Sequence, residues 1–188
     1  MAKKLLFTSG SIRKGSFNTK LATLAYHMAK EQGADATYVD LREYPMPIYD
    51  GDLEEASGLP ETATALKALF VKQDGFFISS PEYNSSFSPL LKNSLDWISR
   101  KGKATDEEAL IAFKGKTAAI SAASPGGFGG LRGLVPLRMM LGNIGVHVIP
   151  SQLAVASATD AFNDDGTFKN KTHTSTLKDI VAALIERA

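Results

Sequence analysis

The sequence predicts an α/β fold in which a parallel sheet carries helices on both faces. Short apolar runs alternate with longer amphipathic stretches five times along the 188 residues, the pattern of βαβ units. Several runs have no polar interruption, as strands buried on both faces require. Glycine, serine and asparagine concentrate directly after the first, third and fourth runs, where open α/β sheets bind ligands.

In chain order, "KKLLFTSG" (3–10), "ATYVDL" (36–41), "GFFISS" (75–80), "TAAISAA" (117–123) and "VHVIP" (146–150) read as strands. "NTKLATLAYHMAKEQG" (18–33) sets Leu21, Leu24, Ala25 and Met28 on one helical face and stops at Gly33. "PETATALKALFVKQ" (60–73) and "SPLLKNSLDWISR" (88–100) are also helical, the second with Ser88 as N-cap and Pro89 at the first helical position. "LRGLVPLRMMLGNIG" (131–145) carries Pro136, expected in the first turn or at a kink. "TSTLKDIVAALIERA" (174–188) closes the chain as an amphipathic helix. The stretch "REYPMPIYDGDLEEASG" (42–58) has no such period and reads as a long surface loop, of a kind used as a lid or a partner contact.

The length and a hydrophobic content of 44% suit one well-cored domain over 1–188. Twenty-one Lys and Arg against twenty Asp and Glu leave a net charge of +1. That balance gives no global field for nucleic acid or an acidic membrane, so any anion site is local. Without cysteine there is no disulfide, thiolate nucleophile or Cys-ligated metal. The N-terminal apolar stretch is only "LLF", and no segment approaches the roughly 20 apolar residues of a membrane span. A soluble cytoplasmic protein is expected.

In a flavodoxin-like three-layer sandwich, a five-stranded parallel sheet of order 2-1-3-4-5, strands 1, 3 and 4 are neighbours. The three small-residue loops would then meet at one crevice. The first, "SGSIRKGSFN", opens a helix, where free N–H groups and the positive dipole end favour an anion. Ser11, Ser16 and Asn18 can donate hydrogen bonds, Arg13 adds charge, and Gly15 permits close backbone approach. Equally, Ser16 or Asn18 could simply cap the helix. Gly10 and Gly15 have P-loop spacing, but Ser16 and Phe17 stand where Lys and Ser or Thr are required. In the second loop, Glu82, Tyr83 and Asn84 follow Pro81 and could meet a planar heterocycle, or form an ordinary strand-to-helix turn. The third, "SPGGFGG", joins Ser124 to four glycines and offers backbone N–H donors, or mere flexibility.

Other constellations are weaker. His27, His147 and His173 lie on three separate elements, which disfavours a metal site or a Ser-His-Asp triad. "DAFNDDGTF" (160–168) has Gly166 as in a calcium loop, but Ala161 and Thr172 occupy the end ligand positions, so it reads as a turn. Trp97 reads as core, and Arg100 as a residue complementing its helix dipole not far from the crevice.

"GSIRKGSFN" (10–18), "PEYNSSFSPLLKNSLDW" (81–97) and "SPGGFGGLRG" (124–133), with "YPMPIYDGDLE" (44–54) between, resemble the NAD(P)H-dependent FMN reductase family, the branch holding quinone, chromate and azo reductases. Where that family commonly has Pro-Gly before "LKN", this chain has Ser88, Pro89 and Leu90. The resemblance implies that bound FMN has its 5′-phosphate held by Ser11, Arg13, Ser16, Phe17 and Asn18. It implies that Pro81, Glu82, Tyr83 and Asn84 line the ribityl chain and isoalloxazine, with Ser124, Gly126 and Gly127 at the pyrimidine side. It further implies ping-pong transfer from NADPH or NADH to a quinone, chromate, azo compound or free flavin, with no protein acid or base and Arg100 as a candidate nicotinamide or acceptor contact. A homodimer or homotetramer is expected, with 42–58 and 88–100 near its interface. The rival is a flavodoxin-type single-electron carrier, which the near-neutral charge disfavours because such carriers are strongly acidic.

Overall fold

The computed structural model describes residues 1–102 and 107–188. The predicted runs form strands β1 (Lys4–Ser9), β2 (Asp35–Val39), β3 (Gly75–Ser79) and β6 (Thr117–Ala123). All pair in parallel, in the order β2-β1-β3-β6, as the flavodoxin-like topology requires. The fifth lane is divided. β7 (His147–Val148) pairs with the start of β6 and β8 (Leu153–Val155) with its end. Pro150 lies between them and has no N–H to continue a ladder.

Alternate strand residues build the two layers. Leu5, Phe7, Phe77, Ala119 and Ala123 face α1 (Phe17–Glu31) and α7 (Lys171–Arg187), packing with Leu21, Ala25, Leu177 and Leu184. Leu6, Phe76, Ile78, Ala118 and Ile120 face α3 (Glu61–Val71), α4 (Pro89–Ser99) and α5 (Leu131–Asn143). Phe7, Phe76, Phe77 and Trp97 are fully buried, each contributing roughly 2–3 kcal/mol relative to exposure.

Three features depart from the sequence reading. The segment 42–58 is not an irregular loop but holds α2 (Gly51–Ser57), capped by Asp50 accepting from Asp52 N–H. Nor is it a loose lid, because Trp97 Nε1 and Asn93 Nδ2 each donate to Pro47 O at 2.8 Å, and Tyr49 N–H donates to Asn93 Oδ1. Residues 82–87 form a hairpin of β4 (Glu82–Tyr83) and β5 (Ser86–Phe87). Pro136 lies in the second turn of α5, past the first turn, so the Arg132 carbonyl loses its usual helical donor. The 160–168 stretch is a turn, as expected, closed by α6 (Ala158–Ala161) and a Phe162–Phe168 bridge.

Candidate functional site

Because β1, β3 and β6 are adjacent and parallel, their carboxyl ends release three loops side by side. The loops are stitched by Gly10 N–H to Ser79 O at 2.8 Å and Ser80 N–H to Ser121 O at 2.9 Å. Between them is a cavity of ≈ 300 Å³ lined by Ser11, Arg13, Ser16, Phe17 and Asn18, by Pro81, Glu82 and Tyr83, and by Ser124. Asn84, Gly126 and Gly127 line an adjoining cavity of ≈ 440 Å³ that shares Glu82 and Ser124. All twelve residues singled out for a cofactor thus line two adjoining cavities that share Glu82 and Ser124.

The first loop has the donors that an anion cradle requires. Ser16 is the N-cap of α1, its Oγ accepting from Thr19 N–H at 3.3 Å, which leaves its hydroxyl proton to donate. Phe17 and Asn18 supply the first helical N–H groups, which have no intrahelical acceptor, and no loop carbonyl takes them. Arg13 is exposed, with its guanidinium 5.6 Å from the Phe17 ring. Gly10 allows α4 to approach, since a Cβ there would stand 2.8 Å from Ser88 Oγ. That hydroxyl donates to Gly10 O at 2.5 Å and caps α4 at Leu91 N–H. The Asn18 side chain, expected to donate to the anion, also bonds within the protein: its Oδ1 accepts from Ala123 N–H and Ser79 Oγ and its Nδ2 donates one proton to Ala123 O, which leaves the second Nδ2 proton and the backbone N–H beside the cavity.

The second loop turns through Asn84 and Ser85 at φ 52° and 65°, both left-handed as a tight two-residue hairpin requires. Glu82 anchors this hairpin to α5, with Oε1 2.8 Å from Arg132 Nη2 and Oε2 accepting from Gly133 N–H at 3.2 Å. In the third loop the glycines divide into two kinds. A Cβ at Gly129 would stand 2.6 Å from Ala156 N and one at Gly130 2.7 Å from Ala122 Cβ, so these are packing glycines at positive φ. A Cβ at Gly127 would meet nothing within 4 Å, and this residue lines the cavity.

Arg100 does not join the others. It ends α4 at the far end from Ser88, donates from Nε to Glu54 at 2.9 Å and lies 5.6 Å over the Tyr49 ring. The same carboxylate accepts from Tyr49 Oη at 2.8 Å, and that hydrogen bond holds the phenol above its usual pKa. Among the lining residues that escaped the sequence reading are Arg132 and Phe128, whose side chains stack at 5.2 Å beside the glycines. Their "GGFGGLRG" setting was a usable signal. Among the described residues no group of three or more His, Cys, Asp or Glu could hold a metal, and no helix is long and apolar enough to cross a membrane.

The crevice has the features a phosphorylated planar heterocycle needs: helix-start N–H donors with a cation at one end, and open glycine backbone at the other. The profile described as NADPH-dependent FMN reductase matches residues 3–160. An NADPH:quinone oxidoreductase of Arabidopsis thaliana is 32% identical over 182 residues, spanning 94% of this chain and 87% of that protein. A quinone reductase of Escherichia coli K12 is 36% identical over 146 residues, or 75% of this chain and 71% of its own. The solved structure of the flavoenzyme NAD(P)H:(acceptor) oxidoreductase FerB from Paracoccus denitrificans superposes with a TM-score of 0.83 at 26% identity, covering 99% of this chain and 97% of that one.

Proposed function

The chain belongs to the NADPH-dependent FMN reductase family, and from that premise we propose that it uses bound FMN and NADPH or NADH to reduce a quinone-like acceptor by two electrons in ping-pong order. The observation that supports this reading is that all twelve residues expected at the cofactor line two adjoining cavities at the carboxyl ends of β1, β3 and β6. FMN, when bound, supplies a hydride-accepting ring that takes two electrons from NAD(P)H and returns them to the acceptor. Ser11, Arg13, Ser16 and the Phe17 and Asn18 N–H groups would hold its phosphate. Pro81 through Asn84 would orient the ring, and the Ser124–Gly127 backbone would donate to the pyrimidine edge, where negative charge accumulates on reduction. None of these side chains needs to move a proton, which suits a site without an organised His or carboxylate pair.

This reading takes 1–188 as one FMN-binding unit and places it in the cytoplasm, since the reaction consumes reduced nicotinamide nucleotide. It also takes the protein as a homodimer or homotetramer. Leu131, Val135 and Met139 recur every four residues on α5 and are 43%, 67% and 64% exposed, with Phe128 beside them at 65%, an apolar stripe suited to burial between copies. Sedimentation of Val135→Asp against the parent chain tests that assembly.

The function itself is tested by the visible spectrum of the purified protein followed by anaerobic NADPH or NADH. Flavin bands that bleach rapidly to the two-electron reduced form support it. Bound flavin that ignores both nucleotides, or a protein that cannot be loaded with FMN, overturns it.

A further inference from the structure

We propose that Asn18 is a positioning residue: its buried carboxamide locks the loop at the phosphate end of the crevice to the loop at the ring end. This inference rests on the FMN reading above and adds a role that the anion cradle alone does not contain. Asn18 is the second residue of α1 and is 4% exposed. Its Oδ1 accepts from Ala123 N–H and from Ser79 Oγ, both at 2.9 Å, while its Nδ2 donates to Ala123 O at 2.9 Å.

The reason for this arrangement lies in the sheet. β3 ends at Ser79, and its ladder with β6 stops at the Ser79–Ser121 pair. Ala123, two residues further along β6, would face the crevice side with its peptide groups unpaired. Asn18 supplies both the acceptor and the donor that a continued strand would have offered, and so satisfies buried backbone groups that are expensive to leave alone. Ala123 is followed directly by Ser124, Gly126 and Gly127, which line the ring end of the crevice. Ser79 leads through Ser80 into Pro81 and Glu82. One side chain at the start of the anion-binding helix therefore sets the places of the other two loops. A small displacement of the 124–127 backbone moves the donors that would face the ring, without touching the phosphate.

The test separates the two ends of the cofactor by comparing FMN with riboflavin, which lacks the phosphate. Arg13→Ala serves as the phosphate-end control, expected to weaken FMN binding and leave riboflavin binding unchanged. Asn18→Ala is expected to weaken both flavins by about tenfold, the scale of one or two lost buried hydrogen bonds, and to shift the reduction potential of bound FMN measured at saturation. Ser79→Ala, which removes one of the three bonds, should move the same quantities in the same direction by less. It decides the matter by the same comparison if Asn18→Ala does not fold. Weaker FMN binding with riboflavin affinity and potential both unchanged would make Asn18 a phosphate contact and overturn the inference. A parent protein that binds neither flavin would instead overturn the FMN reading beneath it.

Discussion

Glu82 and Arg132 form an ion pair across the crevice wall, Oε1 to Nη2 at 2.8 Å, in which the carboxylate is 9% exposed and the guanidinium 59%. The pair is asymmetric, because Glu82 also accepts from Gly133 N–H. Truncating Arg132 exposes a carboxylate that keeps one partner, and exposed cations contribute at most about 1 kcal/mol. Truncating Glu82 removes both of its bonds from the hairpin to α5. Glu82→Ala should weaken FMN binding by about tenfold, the equivalent of one or two lost hydrogen bonds, and Arg132→Ala by less. Fluorescence titration gives the order, and equal losses would show that the hairpin is held by other contacts.

The Arg13 guanidinium makes long hydrogen bonds, 3.5 Å to the carbonyls of Lys14 and Gly15, and is exposed enough to turn toward a phosphate. A charge-assisted hydrogen bond is worth roughly 1.5–3 kcal/mol. Arg13→Ala should accordingly raise the FMN dissociation constant by one to two orders of magnitude at low salt, with the difference shrinking as ionic strength rises. An unchanged constant would remove Arg13 from the phosphate site.

Gly129 and Gly127 are near neighbours with opposite expected behaviour. Gly129→Ala puts a methyl 2.6 Å from the Ala156 backbone at φ 62°, and backbone cannot swing aside, so a loss of roughly 2 kcal/mol or more in stability is expected. Gly127→Ala meets nothing within 4 Å. It should leave the urea midpoint near the parent value while weakening FMN binding.

Lys116 Nζ donates to the carbonyls of Phe70, Val71 and Gln73 at 2.6–2.8 Å, closing the end of α3. Burial lowers its pKa from 10.5 to about 8, against the opposing charge of Asp74. Between those two values the unfolded chain binds a proton that the folded chain does not, so this residue makes unfolding free energy rise with pH across that window. Lys116→Met should be less stable than the parent at pH 7 and lack that rise. Parallel stability-against-pH curves for the two proteins would contradict it.

Much of this architecture is legible from residue order. Uninterrupted apolar runs became the buried strands, and the Ser88–Pro89 pair opens α4 as capping chemistry predicts. The hairpin at 82–87 was not legible, because Asn84-Ser85 lacks the glycine that usually marks such a turn. Nor was α2, whose seven residues bury no side chain and so leave no apolar period. The partners of Asn18 and Arg100 within the protein were not legible for a common reason: polar side chains have many possible partners, and the sequence does not say which is nearest.

Composition, periodicity and the position of small residues after strands determined the α/β class and the three loops of the crevice. These follow from local and repeating physics: apolar burial, helix caps, and backbone freedom at glycine. Only the tertiary structure decided which side chains face the crevice and which hold it together. Asn18 turned inward because β3 stops short of Ala123, and Arg100 meets Glu54 because the 47–49 stretch leading into α2 is bonded to Asn93 and Trp97 of α4. Those outcomes depend on contacts between residues far apart in the chain, which form only when the layers are in place.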